Sequence, residues 1–213
     1  ERWIEAVRRW SKYNQSYRHN DFPDRNTEYF IYQTLVGAWP IESGRMLTYM
    51  EKAIREAKTY TSWTRQNPDY EERVMAFIMG ILEDAWFQAD LENFVRPLLL
   101  PGRVNSLAQT LIKLTAPGIP DIYQGTEIWD LSLVDPDNRH PVDYEQRRTI
   151  LADIRSRMGD RLALARDLLD HRADGRIKLY VTYTALMFRR ANEQLFSRGD
   201  YLPLIVEGSR KKH

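Results

Sequence analysis

A mainly helical chain with one or two short strands is predicted, and three observations predict it. Apolar residues recur at helical spacing from Trp3 to Met187. Pro, Gly, Asn and Ser punctuate that pattern at intervals suited to short helices. One stretch, Thr115 to Tyr144, has no helical period and is the richest in turn formers. There is no internal repeat and no low-complexity segment.

In chain order, residues 1–19 read as an amphipathic helix with Trp3, Ile4, Val7 and Trp10 on one face and Arg8, Arg9 and Lys12 outward. A loop over 20–25 leads to a second helix, capped by Asn26 or Thr27, that stops near Trp39-Pro40. Ser43 is expected to cap a third, from about Gly44 to Ala57, whose exposed face carries Glu51, Lys52, Arg55, Glu56 and Lys58. Thr61-Ser62-Trp63 breaks the pattern, and Asn67-Pro68-Asp69 opens a helix that buries Val74, Phe77, Ile78, Ile81 and Leu82. Another carries Phe94 to Leu100 and ends at Pro101-Gly102; Asn105 or Ser106 then caps a helix from Leu107 to Leu114.

Pro117, Gly118 and Pro120 stop that helix and turn the chain. Asp121-Ile122-Tyr123 is a short strand-forming run cut off at Gly125, and a long polar loop follows. Helix, Pro-Gly turn, short strand and irregular loop is how a barrel strand delivers a loop to an active-site rim. Helices follow from Tyr144 to about Met158, from Arg161 to Leu169, and from Lys178 to Arg190, although Val181, Thr182 and Thr184 are poor helix formers. Residues Phe196 to Val206 are strand-like.

Bulk chemistry narrows the function. With 31 Lys and Arg against 30 Asp and Glu the net charge is +1, which argues against nucleic acid or an anionic membrane as main partner. No cysteine is present, so disulfides, thiolate metal sites and cysteine nucleophiles are excluded. No apolar run approaches membrane-spanning length, and a cytoplasmic protein is expected. Six Trp and 12 Tyr suit a protein that handles sugars, and equally a large core. The chain starts without an initiator Met inside a helical pattern and closes on a strand-like run with no partner, so it reads as a piece of a longer enzyme.

Candidate chemistry lies mainly in the aperiodic stretch. Glu127, Asp130, Asp135 and Asp137 are carboxylates of the type that glycosidic chemistry pairs, or else they make turns and ion pairs with Arg139. Trp63, beside Arg65, Asn67 and Tyr70, is either a sugar-stacking platform or the seal of a helix junction. Arg139, flanked by Asp137 and Asp143, is a loop anchor or a ligand-reading fork. His19, His140, His171 and His213 lie in separate segments without ligand spacing, so no metal is expected. No glycine-rich phosphate loop or Gly-x-Ser-x-Gly elbow occurs, and no cofactor is expected.

The run Pro117-Gly118-Ile119-Pro120-Asp121-Ile122-Tyr123-Gln124-Gly125-Thr126-Glu127 resembles the eighth-strand motif of the α-amylase superfamily. The continuation Ile128 to Arg139 resembles the maltooligosyltrehalose synthases within it, as do Asp24 to Tyr29, Tyr32 to Pro40, and Glu56-Ala57-Lys58 with Thr61-Ser62-Trp63. The resemblance spans essentially the whole chain; one departure is His140, where a second Arg is expected. It implies a (β/α)8 barrel that isomerises the terminal α-1,4 bond of a maltooligosaccharide to an α,α-1,1 bond, with a nucleophile, an acid/base and a third carboxylate on strands four, five and seven. Those strands precede Glu1, so no catalytic residue is expected within this chain. The resemblance further implies a helical insertion domain over 1–103, the last barrel segment over 104–194 (helix, eighth strand, rim loop, closing helices), and the start of a C-terminal β domain over 195–213. Trp63, Tyr123, Gln124, Asp137 and Arg139 are the expected substrate-binding residues, and the partners are a maltooligosaccharide and the rest of the parent chain. Another superfamily hydrolase and a freestanding helical interaction module are the alternatives.

Overall fold

The computed structural model describes residues 1–211; Lys212 and His213, the end of the closing polar run, lie outside them. Among the described residues there are ten α-helices: α1 Arg2–Tyr13, α2 Arg25–Ala38, α3 Ser43–Ala57, α4 Pro68–Glu83, α5 Ala85–Val95, α6 Leu99–Thr115, α7 Tyr144–Ser156, α8 Arg161–Asp170, α9 Arg176–Ala191 and α10 Glu193–Arg198. The chain divides into two compact units. One comprises 1–102 with 131–141; the other comprises 103–130 with 142–213.

Caps set most helix starts. Asp24 accepts the backbone N–H groups of Asn26 and Thr27 and opens α2. This corrects the expectation that Asn26 or Thr27 is the cap: Asp24 precedes both and its carboxylate reaches the first-turn donors. Asn67 accepts from Tyr70 and Pro68 takes the first position of α4. Asp84, Asp143 and Asp160 cap α5, α7 and α8 in the same way. Ser43 is the first residue of α3 and not its cap, which is Glu42 without a side-chain bond.

The expected break at Pro101-Gly102 does not occur. Helix α6 runs through it, because Pro101 sits in the first turn, where backbone N–H groups have no helical acceptor to lose. Two strand expectations are also overturned. Asp121 to Tyr123 has no ladder partner among the described residues and forms no strand. Glu193 to Arg198 is helical and 199–207 carries no regular structure, so the strand over Phe196 to Val206 is absent too. A strand exists only by pairing, and β-forming composition alone does not supply a neighbour.

The first unit is organised around Trp10, which is fully buried. Its ring lies 5.3 to 6.0 Å from those of Trp3, Tyr32, Phe87 and Phe94, and its Nε1 donates to Asp90 at 2.6 Å. Helices α2, α3 and α4 add Leu35, Met46, Met50, Phe77 and Ile78. In the second unit Ile154, Leu164, Leu168, Ile177 and Leu179 form a smaller core against Trp129 and Ile128. Helix α9 forms despite Val181, Thr182 and Thr184, since burial of Ile177, Leu179 and Thr182 outweighs weak propensity. Gly175 precedes α9 with φ 86°, and a Cβ there would lie 2.9 Å from the Trp129 backbone nitrogen, so the turn requires glycine. Leu111 and Ile112 on α6, and Leu186, Met187 and Phe188 on α9, are exposed apolar side chains.

Truncating Trp10 to Ala is expected to destabilise the protein by about 3–5 kcal/mol, read by urea unfolding. A loss below about 1 kcal/mol would mean that the aromatic cluster is not what holds the first unit together.

Candidate functional site

Helix α3 supplies the frame of the candidate site in the first unit. Arg45 and Lys52 are seven residues apart and Arg55 follows three later, so the three cations lie along neighbouring rows of one helix. Lys52 and Arg55 were expected on a solvated face. Their side chains are only 16% and 12% exposed, because each is drawn into an ion pair.

Arg45 forks onto Asp137, Nε to Oδ1 at 2.8 Å and Nη2 to Oδ2 at 2.9 Å. The backbone N–H of Leu133 donates to the same Oδ2 at 2.7 Å, and Arg45 Nη2 also reaches the carbonyl of Leu131. Lys52 Nζ donates to the Asp135 carbonyl at 2.7 Å and pairs with its carboxylate at 2.8 Å. The loop 131–141 is thereby tied to α3 at three points, and Leu133 packs against the core beneath. Arg45 first, then the Leu133 N–H, hold the Asp137 carboxyl below the ordinary range despite its partial burial.

Asp137 does not pair with Arg139, as its sequence neighbourhood suggested. Arg139 pairs with Asp135 at 2.9 Å and leaves its side chain 70% exposed. His140 shares a hydrogen bond with Ser132 at 2.8 Å. Asp137 is therefore spent on holding the loop, whereas Arg139 presents its guanidinium outward.

Trp63 lies in the connection between α3 and α4, over a groove of about 790 Å³ bounded by Lys58 to Pro68. Trp63 is 52% exposed in this chain. Arg55 stands 4.9 Å from its centroid. A second groove, of about 430 Å³, lies between α2 and α3 near Asn26, Gln33 and Thr59.

The second unit holds Tyr123 and Gln124. Arg189 donates to the carbonyls of Leu114 and Ala116 at 3.0 and 2.9 Å, and to that of Gly118, clamping the Pro-Gly turn. Arg147 donates to Glu127 at 2.9 Å and to the Gly125 carbonyl at 2.6 Å, so Glu127 is an ion-pair partner. Between these clamps Tyr123 is partly exposed and its carbonyl accepts from Thr126. Gln124 Oε1 accepts from Tyr144 at 3.4 Å. Tyr123 borders a cavity of about 360 Å³ shared with Lys113, Asp121, Thr126 and Lys178. Burial, with help from Lys113, pushes the Lys178 amine down, while Asp130 and Glu127 oppose it.

Sequence reasoning missed Arg45, Lys52, Arg55, Glu71, Arg147 and Lys178. The seven-residue spacing of Arg45 and Lys52 was the available signal, but it points to one helix face without saying what that face meets. Among the described residues, no three His, Asp or Glu side chains converge as metal ligands, and no helix is long and apolar enough to cross a membrane.

Comparison with known proteins gives one consistent result. A Mycobacterium tuberculosis protein described as a maltooligosyl trehalose synthase is 37% identical over 198 residues, covering 90% of this chain and 23% of that protein. A crystal structure of a maltooligosyl trehalose synthase matches at 36% identity with a TM-score of 0.84, over 97% of this chain and 28% of its own. The maltooligosyltrehalose synthase of Arthrobacter ramosus matches at 36% identity with a TM-score of 0.77, over 98% and 26%. No family model matches the chain. The chain spans about a quarter of the length of the relatives it matches.

Because Arg45 holds Asp137 charged, its folded-state pKa lies below the unfolded value of about 3.9; the stabilisation is complete above that pH and is lost as pH falls through the folded value. Asp137→Asn is expected to cost about 1–2 kcal/mol at neutral pH, the lower end for charged hydrogen bonds because Arg45 is a third exposed. In urea unfolding that difference should shrink below about pH 4. A difference constant down to about pH 2 would mean that the fork contributes nothing.

Proposed function

We propose that this chain is part of a maltooligosyl trehalose synthase, an enzyme that converts the terminal α-1,4 bond of a maltooligosaccharide to an α,α-1,1 bond. The observation that carries the reading is identity of 36–37% over nearly the whole chain, joined to a TM-score of 0.84. In this reading the three catalytic carboxylates lie outside these residues, and the chain contributes to binding. The extended run Asp121 to Tyr123 pairs as the eighth barrel strand with neighbours from the rest of the parent, and residues 1–103 form a helical insertion beside the cleft. The exposed apolar faces of α6 and α9 fit that partnership, since isolated surfaces rarely carry so many. A cytoplasmic location belongs to the same proposal.

Trp63, Tyr123, Gln124, Asp137 and Arg139 are assigned to the sugar cleft. Their roles differ. Trp63 and Tyr123 offer partly exposed aromatic faces to pyranose rings, and Gln124 and Arg139 offer donors to hydroxyls. Asp137 acts through Arg45 by fixing the loop that carries Arg139.

Two outcomes are expected. Incubated with maltohexaose, this chain alone yields no non-reducing product by chromatography; conversion by the purified chain would sink the assignment of the catalytic acids elsewhere. In the full-length parent, Arg139→Ala raises KM for maltohexaose by about tenfold, the loss of one charged hydrogen bond to substrate. Unchanged kinetics would reduce Arg139 to an anchor of its own loop.

A further inference from the structure

Trp63 is half exposed and has a guanidinium over its ring. Arg55 lies under the ring at 4.9 Å, and the indole Nε1 makes no hydrogen bond among the described residues. Arg55 is itself fixed. Its Nε and Nη2 donate to the two carboxylate oxygens of Glu71 at 2.9 and 2.7 Å, and Nη1 pairs with Glu51 at 2.6 Å. Glu71 belongs to α4 and Arg55 to α3, so the fork spans the two helices that the Trp63 connection joins.

The connection is braced from the same point. Thr61 donates to Glu71, and the Asn67 N–H donates to the Thr61 hydroxyl at 3.0 Å. Asn67 Nδ2 reaches the Tyr60 carbonyl, and the Ser62 N–H donates to the Arg65 carbonyl at 3.0 Å. Arg55, followed by Thr61, keeps the Glu71 carboxyl below its ordinary range against the pull of burial. A partly buried ion-pair network therefore stands behind one ring, and that ring borders a groove lined by Thr59, Ser62, Thr64 and Gln66.

Trp63 is half exposed at the edge of that groove. A ring fixed from behind, with a free face and a free donor edge, is pre-organised for a flat ligand with hydroxyl groups at its rim. We infer that Arg55, held by Glu71, is a positioning residue that presents Trp63 to stack a glucosyl ring of the maltooligosaccharide. The inference rests on the functional reading above. It adds that the ring's readiness, and not only its presence, sets affinity at this groove.

The test is kinetic, in the full-length parent with maltohexaose, on Trp63→Ala, Arg55→Met and the double variant, with Tm measured for each. Trp63→Ala is expected to raise KM by about tenfold with kcat unchanged. Arg55→Met raises it by about threefold, the fold-change of one exposed cation–π contact, again at constant kcat. The double variant matches Trp63→Ala, since Arg55 acts only through the ring. Arg55→Lys, which keeps the cation but loses the fork, falls between wild type and Arg55→Met. If Trp63→Ala raises KM and Arg55→Met does not, or if the two effects multiply, this inference is overturned and the functional reading stands. If Trp63→Ala leaves KM unchanged, the assignment of Trp63 to the sugar cleft fails first, and the inference falls with it. Should Arg55→Met fail to fold, Glu71→Gln decides: it frees Arg55 beneath the ring, and an unchanged KM overturns the proposal.

Discussion

The fork from Arg45 to Asp137 is the constraint on which the candidate site depends. An eleven-residue loop, 131–141, has no regular structure beyond the single 3₁₀ turn Asp137–Arg139. Left to itself such a loop would sample many conformations, at an entropy cost that its own turn cannot offset. A planar guanidinium facing a carboxylate fixes position and orientation together, and the Leu133 N–H donates to Oδ2 as well. Lys52 adds a second tether seven residues along the same helix. With Asp137 committed in this way, Arg139 pairs with Asp135 and its side chain stays largely exposed on the tethered loop.

Helix α3 does the same for Trp63. Its third cation, Arg55, is fixed across to α4 and carries the ring. One helix thus orients both the loop and the aromatic platform of the first unit. The second unit solves the equivalent problem differently. Arg189 and Arg147 bind backbone carbonyls before and after the segment that carries Tyr123, so guanidinium groups anchor both of its ends. In both units arginine does the positioning, because five donors in a rigid fork can hold irregular backbone in place.

Much of the helical content was legible because it obeys local rules. The spacing of Val74, Phe77, Ile78 and Ile81 announces α4, and Asn67-Pro68 announces its start. Pairing was not legible. Asp121-Ile122-Tyr123 has the composition of a strand, but strandness depends on a neighbour that composition cannot specify. Pro101 looked like a stop because its place within the first turn of α6 depends on where that turn begins. The candidate site was half visible. Trp63 and Arg139 stand out as residue types in polar, irregular segments. The pairings behind them, Arg55 with Glu71 and Arg45 with Asp137, join residues 16 and 92 apart in sequence, and composition does not specify such partners.

In the proposed function, this chain contributes the aromatic platform and rim loop of a maltooligosaccharide cleft. The most direct measurement is a structure of the full-length parent with a maltooligosaccharide bound. The expected result is a glucosyl ring in van der Waals contact with Trp63 and a sugar hydroxyl within hydrogen-bond reach of Arg139. A bound oligosaccharide that touches neither residue, with the loop 131–141 buried against other parts of the parent, would contradict it.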